Sequence, residues 1–239
     1  MSTSEPIESF PYKPPTSDLK DMYQEVFALQ QKIEPSLLKL FFDKLLSLPL
    51  VLISIPIFGV LKFIYVIEGV FIKENRGPLF FYYFAVSGGN VFKKYKLRII
   101  KNKYIDSGRA MNHEWIAYSA EWDPNCRTIL GNFIKKYYLD ELPQFFSIFI
   151  GDMSFVGPRP LAVLHYERDL SQGNQYRKWI RGGLLGLGHI NKGTLEMGNP
   201  RYEYEYLSYQ INKSSIDCFI LDIKIILKGV VLVLKGGGH

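Results

Sequence analysis

The strongest pattern along the chain is an apolar run. From Leu45 to Leu61 no charged residue occurs, with Asp43 and Lys44 ahead of it and Lys62 and Glu68 behind. As a straight helix it would span ~25 Å, slightly short of the ~30 Å hydrocarbon core of a bilayer. Pro49 and Pro56 interrupt it, and a proline deep in a helix removes a backbone bond and crowds the preceding turn. Three arrangements compete: a straight span, a buried helical hairpin of a soluble core, and a broken helix that dips into one leaflet and returns. In the last, the carbonyls freed at Pro56 need partners among Ser54, neighbouring side chains or water.

The rest of the chain reads in shorter units. Residues 1–36 are polar and dotted with prolines, which predicts a flexible tail with one short helix over 17–33, capped by Ser17 or Asp18. Leu79–Val86 and Val91–Ile100 are strand-like, joined by the turn Ser87-Gly88-Gly89-Asn90. Alternation puts Lys94, Lys96 and Arg98 on one face of the second strand and Tyr95, Leu97 and Ile99 on the other. The cationic face is either solvated or a ladder for phosphate or lipid headgroups. Residues 101–125 say little. Helices follow over 128–138 and 143–150, and Ile216–Leu234 repeats apolar residues at three- and four-residue steps. That last stripe faces a core or, alternatively, a membrane surface.

Composition narrows the setting. Among 239 residues, 47% are hydrophobic and 16 are tyrosines, which suits a boundary between water and an apolar phase. A net charge of +6 favours an anionic partner; the uncharged run argues against nucleic acid as that partner. Two distant cysteines, Cys126 and Cys218, and four scattered histidines supply neither a disulfide scaffold nor metal-ligand spacing.

Two motifs carry candidate chemistry. In Leu139-Asp140-Glu141-Leu142-Pro143-Gln144, two carboxylates precede a proline that fits only the first turn of a helix. There a helix dipole favours both the carboxylates and a bound phosphate, and an aspartate can attack phosphorus. Charge-capping of the helix is the plain alternative. In Gly151–Pro160, Arg159 lies between Pro158 and Pro160. A guanidinium so restrained suits phosphate recognition, or a structural ion pair with Asp152. The glycine-rich segment Gly182–Gly193 is a turn, or a loop whose amides approach a nucleotide.

Together these motifs resemble the bacterial sugar transferase family, the monotopic phosphoglycosyl transferases, over about Leu38–Leu234. Supporting matches are Lys39 and Asp43, Pro56, Phe92–Arg98, Gly131-Asn132-Phe133, Gly183, Gly186 and Asn191, and Leu221–Ile225. The resemblance implies a mostly helical α/β monotopic membrane protein. A tail over 1–36 leads to a re-entrant membrane helix over 37–72, broken at Pro56. A cytoplasmic catalytic domain with a small β-hairpin covers 73–239. It implies transfer of a sugar-1-phosphate from a UDP-sugar to a polyprenyl phosphate at the bacterial inner membrane, with Mg²⁺, in the first step of polysaccharide or glycoconjugate assembly. Asp140 would be the nucleophile, releasing UMP, and Glu141 its partner, both available to the metal. Lys96, Arg98, Asp152, Arg159, His189 and Asn191 would bind substrate, and an oligomer is compatible. Tyr82, Phe84 and Val86, Leu184–His189, and Tyr138 depart from the family pattern. Those departures leave a second reading, a catalytically silent membrane scaffold for assembly enzymes.

Overall fold

The computed structural model describes residues 13–105, 108, 120–121, 123–188, 190, 196 and 198–234. The described part of the expected tail is packed against the body. Helices α1 (Ser17–Met22) and α2 (Gln24–Phe27) replace the single helix expected over 17–33. The cap is Thr16, whose Oγ1 accepts from the Leu19 N–H at 3.3 Å. Leu19, Tyr23 and Val26 are buried, Phe27 stacks on Tyr204 at 4.6 Å, and the Ile33 N–H donates to the Trp179 carbonyl at 2.7 Å. Apolar residues at three- and four-residue steps tie this segment down.

Helix α3 runs from Leu37 to Phe71 without interruption, so the break expected at Pro56 does not occur as a gap in the helix. Each proline deletes one N–H donor but has a helical φ, so the helix continues around the loss. Ser36 caps the Lys39 N–H at 3.2 Å, and the Ser54 hydroxyl donates to the Leu50 carbonyl at 2.7 Å. The buried residues of α3 are Lys39, Asp43, Ser47, Ser54, Leu61, Tyr65 and Gly69, a stripe at four- and seven-residue steps. Leu45, Leu52, Ile53, Ile55, Val60 and Phe63 are exposed. The helix is thus inverted, with its polar and small residues inward and its apolar face outward. It is long and apolar enough to cross a membrane. It is not a buried hairpin.

Strands β1 (Phe80–Ser87) and β2 (Asn90–Leu97) form the expected hairpin, in register from Phe80↔Leu97 to Ser87↔Asn90. Gly88 and Gly89 turn it with φ of 55° and 73°, the left-handed pair a two-residue hairpin loop favours. After it come α4 (Ile129–Lys136) and α5 (Gln144–Ile150), then β3 (Ser154–Val156) and β4 (Leu161–Ala162). Next are α6 (Val163–Ser171), α7 (Tyr176–Trp179), β5 (Gly183–Leu185), α8 (Arg201–Asn212) and α9 (Ser215–Leu234). Strand β4 joins the free edge of β1 antiparallel, and β3 pairs with β5 in parallel. A Cβ on Gly183 would lie 2.1 Å from the Gly157 nitrogen, so this glycine permits the close approach of β5 to β3.

Both halves of α3 are bound to this body. Near its start, the Lys39 ammonium meets Asp222 of α9 at 2.5 Å and the Val156 carbonyl at 3.0 Å. Asp43 accepts from the Ser154 hydroxyl at 2.7 Å and the Phe155 N–H at 3.2 Å. Near its end, Tyr65 donates to the Arg98 carbonyl, and Glu68 accepts from the Ile129 N–H at 2.7 Å. Helix α9 repeats the inversion. Cys218, Asp222, Ile225 and Gly229 face inward, whereas Ile216, Ile220, Leu227, Val230 and Val231 are exposed. The apolar stripe read from its sequence does not simply face a core.

Candidate active site

The acidic pair sits in a single 3₁₀ turn, Leu139–Glu141, between α4 and α5. Thr128 starts α4 by accepting from the Gly131 N–H at 2.8 Å. Tyr138, at φ 56°, then reverses the chain in the left-handed region, a strained conformation for a bulky residue. The reversal turns Asp140 and Glu141 inward, where they are 1% and 9% exposed.

The cationic face of β2 is buried under this turn. Lys94 and Lys96 point inward while Val91 and Tyr95 are exposed, so the solvated-face alternative is overturned. The Lys96 ammonium lies 3.0 Å from Asp140 Oδ2 and 3.2 Å from Glu121 Oε2; Lys135 reaches Glu121 at 4.0 Å. Burial disfavours the Lys96 charge, but Glu121 and Asp140 outweigh it and hold its pKa well above the usual lysine value. The Lys96 contact with Asp140 is off the hydrogen-bonding direction. Neither Asp140 oxygen has a hydrogen-bond donor among the described residues. The carboxylate is therefore charge-compensated with its lone pairs free.

Glu141 is engaged differently. Arg159 grips it with two nitrogens, Nη2 on Oε1 and Nη1 on Oε2, the latter at 3.3 Å. Burial pushes its carboxyl up, but Arg159, Lys96 and Lys94 together hold it far below the usual carboxylate range. Arg159 thus pairs with Glu141 and not with Asp152. Two buried cations fix its loop through consecutive carbonyls. Arg177 Nε donates to the Arg159 carbonyl at 2.9 Å, and Lys94 Nζ to the Pro160 carbonyl at 3.2 Å. Arg177 is anchored by Asp169 and by the Tyr176 hydroxyl. Burial, with Arg159 and Lys96 nearby, drives the Lys94 pKa well below its usual value.

The sequence-predicted residues divide accordingly. Asp140, Glu141, Lys96 and Arg159 come together. Arg98 does not join them, because its three nitrogens donate to the carbonyls of Pro78, Ile100 and Asn75 at 2.7, 2.9 and 2.8 Å. It is fully buried and stacks on Tyr65, which is a structural role. Asp152 lines a separate cleft with Lys32, Asn90 and Arg181 at the hairpin tip; Asn90 is six residues, ~20 Å, along β2 from Lys96. Burial raises the Asp152 pKa and Arg181 opposes it. His189 and Asn191 lie outside the described residues. Lys94, read from its alternation with Lys96 as part of the cationic face, takes its place by holding the Pro160 carbonyl. Glu121, Asp169 and Arg177 were missed. Glu121 comes from the segment whose sequence says little.

Asp140, Glu141, Lys96 and Arg159 thus form one compact, buried cluster of paired carboxylates and cations. The profile described as Bacterial sugar transferase matches residues 34–236. The chain belongs to the bacterial sugar transferase family. Among curated members, it is 44% identical over 116 residues to a UDP-glucose:undecaprenyl-phosphate glucose-1-phosphate transferase of Klebsiella pneumoniae. That alignment covers 46% of this chain and 23% of the relative. A UDP-N-acetylgalactosamine-undecaprenyl-phosphate N-acetylgalactosaminephosphotransferase of Aeromonas hydrophila is 31% identical over 211 residues, 85% of this chain and 46% of the relative. A UDP-glucose:undecaprenyl-phosphate glucose-1-phosphate transferase of Escherichia coli K12 is 38% identical over 132 residues, 52% and 26% respectively. This sugar transferase chain spans a quarter to a half of the length of these relatives.

Proposed function

We propose that the protein is a phosphoglycosyl transferase that moves a sugar-1-phosphate from a UDP-sugar to a polyprenyl phosphate on the cytoplasmic face of the bacterial inner membrane. The observation that carries this reading is Asp140, a buried carboxylate beside Lys96 with both oxygens free of hydrogen-bond donors. An Asp140 oxygen attacks the sugar-bearing phosphorus of the donor. The bond to the bridging oxygen breaks, that oxygen keeps the electron pair, and UMP leaves. A phosphate oxygen of the acceptor then attacks the same phosphorus and displaces Asp140, giving a polyprenyl diphosphate sugar. Lys96 and the Arg159 guanidinium offset phosphate charge, a preorganised electrostatic contribution. Glu141 fixes Arg159.

Mg²⁺ fits this site in one mode. No group of three ligating side chains occurs among the described residues, and the Glu141 oxygens are taken by Arg159. Magnesium commonly uses one or two carboxylates plus substrate phosphates, so Asp140 would hold it together with the donor diphosphate. When bound, the ion supplies further charge compensation there.

The membrane seat of α3 enters and leaves on one face. Lys39 and Asp43 at one end, and Tyr65 and Glu68 at the other, hold the same polar body, and the exposed face between is apolar. The intact set of Asp140, Lys96, Glu141 and Arg159 argues against the silent scaffold. The test is UMP release from UDP-sugars and polyprenyl phosphate by the membrane-reconstituted chain. Asp140→Asn should lower it by more than about a thousandfold; undiminished turnover in that variant would remove Asp140 as nucleophile.

A further inference from the structure

Beside the C-terminal half of α3 lies a groove of about 270 Å³. One wall is the helix itself, with Val66, Gly69 and Val70; Arg76 and Gly77 form the other. The opening is flanked by two exposed cations, Lys62 and Arg76. Arg76 lies flat on the helix because Gly69 has no side chain. A Cβ there would come within 3.0 Å of Arg76 Cγ, and Arg76 Nε donates to the Gly69 carbonyl at 2.7 Å. Its two terminal nitrogens, and the Lys62 ammonium, have no acidic partner among the described residues. The nearby carboxylates are already engaged, Glu68 by Asn75 at 2.5 Å and by the Ile129 N–H, and Glu74 by Lys101 and Lys103.

An apolar slot with two uncompensated cations at its mouth, on a helix whose outer face is apolar, matches a lipid with a small anionic head. Tyr65 also lines the slot, and its hydroxyl is 3.3 Å from Thr128 Oγ1 at the start of α4, the helix that leads into the Leu139–Glu141 turn. We propose that this groove seats the acceptor lipid, with the phosphate of the polyprenyl phosphate held between Lys62 and Arg76 and its first isoprene units along Val66 and Val70. This rests on the phosphoglycosyl transferase reading for the identity of the lipid.

The test is direct binding of polyprenyl phosphate to the full chain in zwitterionic-lipid nanodiscs, read by native mass spectrometry without UDP-sugar. It therefore reports on the groove even where no turnover is found. Lys62→Gln, Arg76→Gln and Gly69→Leu should each weaken binding by about tenfold, and Lys103→Gln, an equal loss of charge outside the groove, should not. In turnover, the acceptor KM should rise by the same factor while the UDP-sugar KM stays constant. Lys62→Gln keeps the assay readable where the other two unfold, because it removes no contact among the described residues. Binding by Lys62→Gln equal to that of the parent would overturn the proposal. So would displacement of the polyprenyl phosphate by an equal mole fraction of phosphatidylglycerol, which would mark a general anionic-lipid surface.

Discussion

Single side chains inside this protein carry charge at a cost, and Glu203 is the clearest case. It lies on α8, 4% exposed, with Oε2 lacking a hydrogen-bond partner among the described residues. Burial pushes its pKa up to about 7, against the pull of Arg177 and a Gly188 N–H and with help from Asp169. The folded state therefore binds this proton more tightly than the unfolded chain, whose glutamate titrates near 4.5. The stabilisation is complete below that value and is lost as pH rises through about 7, on the order of 3 kcal/mol in all. Thermal unfolding should show the midpoint falling between pH 5 and 8, and Glu203→Gln should flatten that slope and exceed the parent at pH 8. A parent midpoint that rises over this window would contradict the assignment. Arg159 makes a second prediction. Its fork matches both Glu141 oxygens, and a lysine cannot reproduce it. Arg159→Lys should reduce kcat by about ten- to a hundredfold and also lower the unfolding midpoint, because a buried Glu141 oxygen loses its donor.

At the scale of elements, α3 shows why part of the fold was legible in the sequence and part was not. The hairpin was readable because Gly88-Gly89 and the alternation of β2 are local signals. The polar stripe of α3, from Lys39 through Asp43, Ser47 and Ser54 to Tyr65 and Gly69, is equally present in the sequence. It goes unrecognised because the rule that apolar residues face inward assumes water outside. With lipid outside, the same period specifies the opposite face, and α9 follows suit with Cys218, Asp222, Ile225 and Gly229. The two faces of α3 should respond differently to mutation. Asp43→Ala leaves the buried Ser154 hydroxyl and Phe155 N–H unsatisfied, which costs about 2 kcal/mol or more, about 4–8 °C in unfolding midpoint. Ile53→Lys lies on the exposed face and should leave the midpoint unchanged while shifting protein from the vesicle pellet to the supernatant in co-sedimentation assays.

Across the whole molecule, what escaped sequence reading is what depends on distant segments meeting. Arg98 has the same alternation as Lys96, yet the carbonyls of Pro78, Ile100 and Asn75 capture it. Arg159 met Glu141 and not the nearer-in-sequence Asp152, because the β3–β5 pairing and Arg177 set the loop against the acidic turn. The largest such meeting is that of the two ends of α3. Lys39 and Tyr65 are 26 residues apart, ~39 Å along a straight helix, and both bond to one polar body through Asp222 and the Arg98 carbonyl. A helix crossing the bilayer would place ~30 Å of hydrocarbon between its ends, and one of these buried anchors would have to open, stranding a charge or a carbonyl. Membrane-impermeant maleimide should therefore label Leu37→Cys and Lys73→Cys from the same side of sealed vesicles, in a background of Cys126→Ser and Cys218→Ala. Ile53→Cys, exposed to the apolar side, should react only after detergent is added. Labelling of positions 37 and 73 from opposite sides would mean that the anchors at one end of α3 do not persist in the membrane, and with them the one-faced seat of the helix would fall.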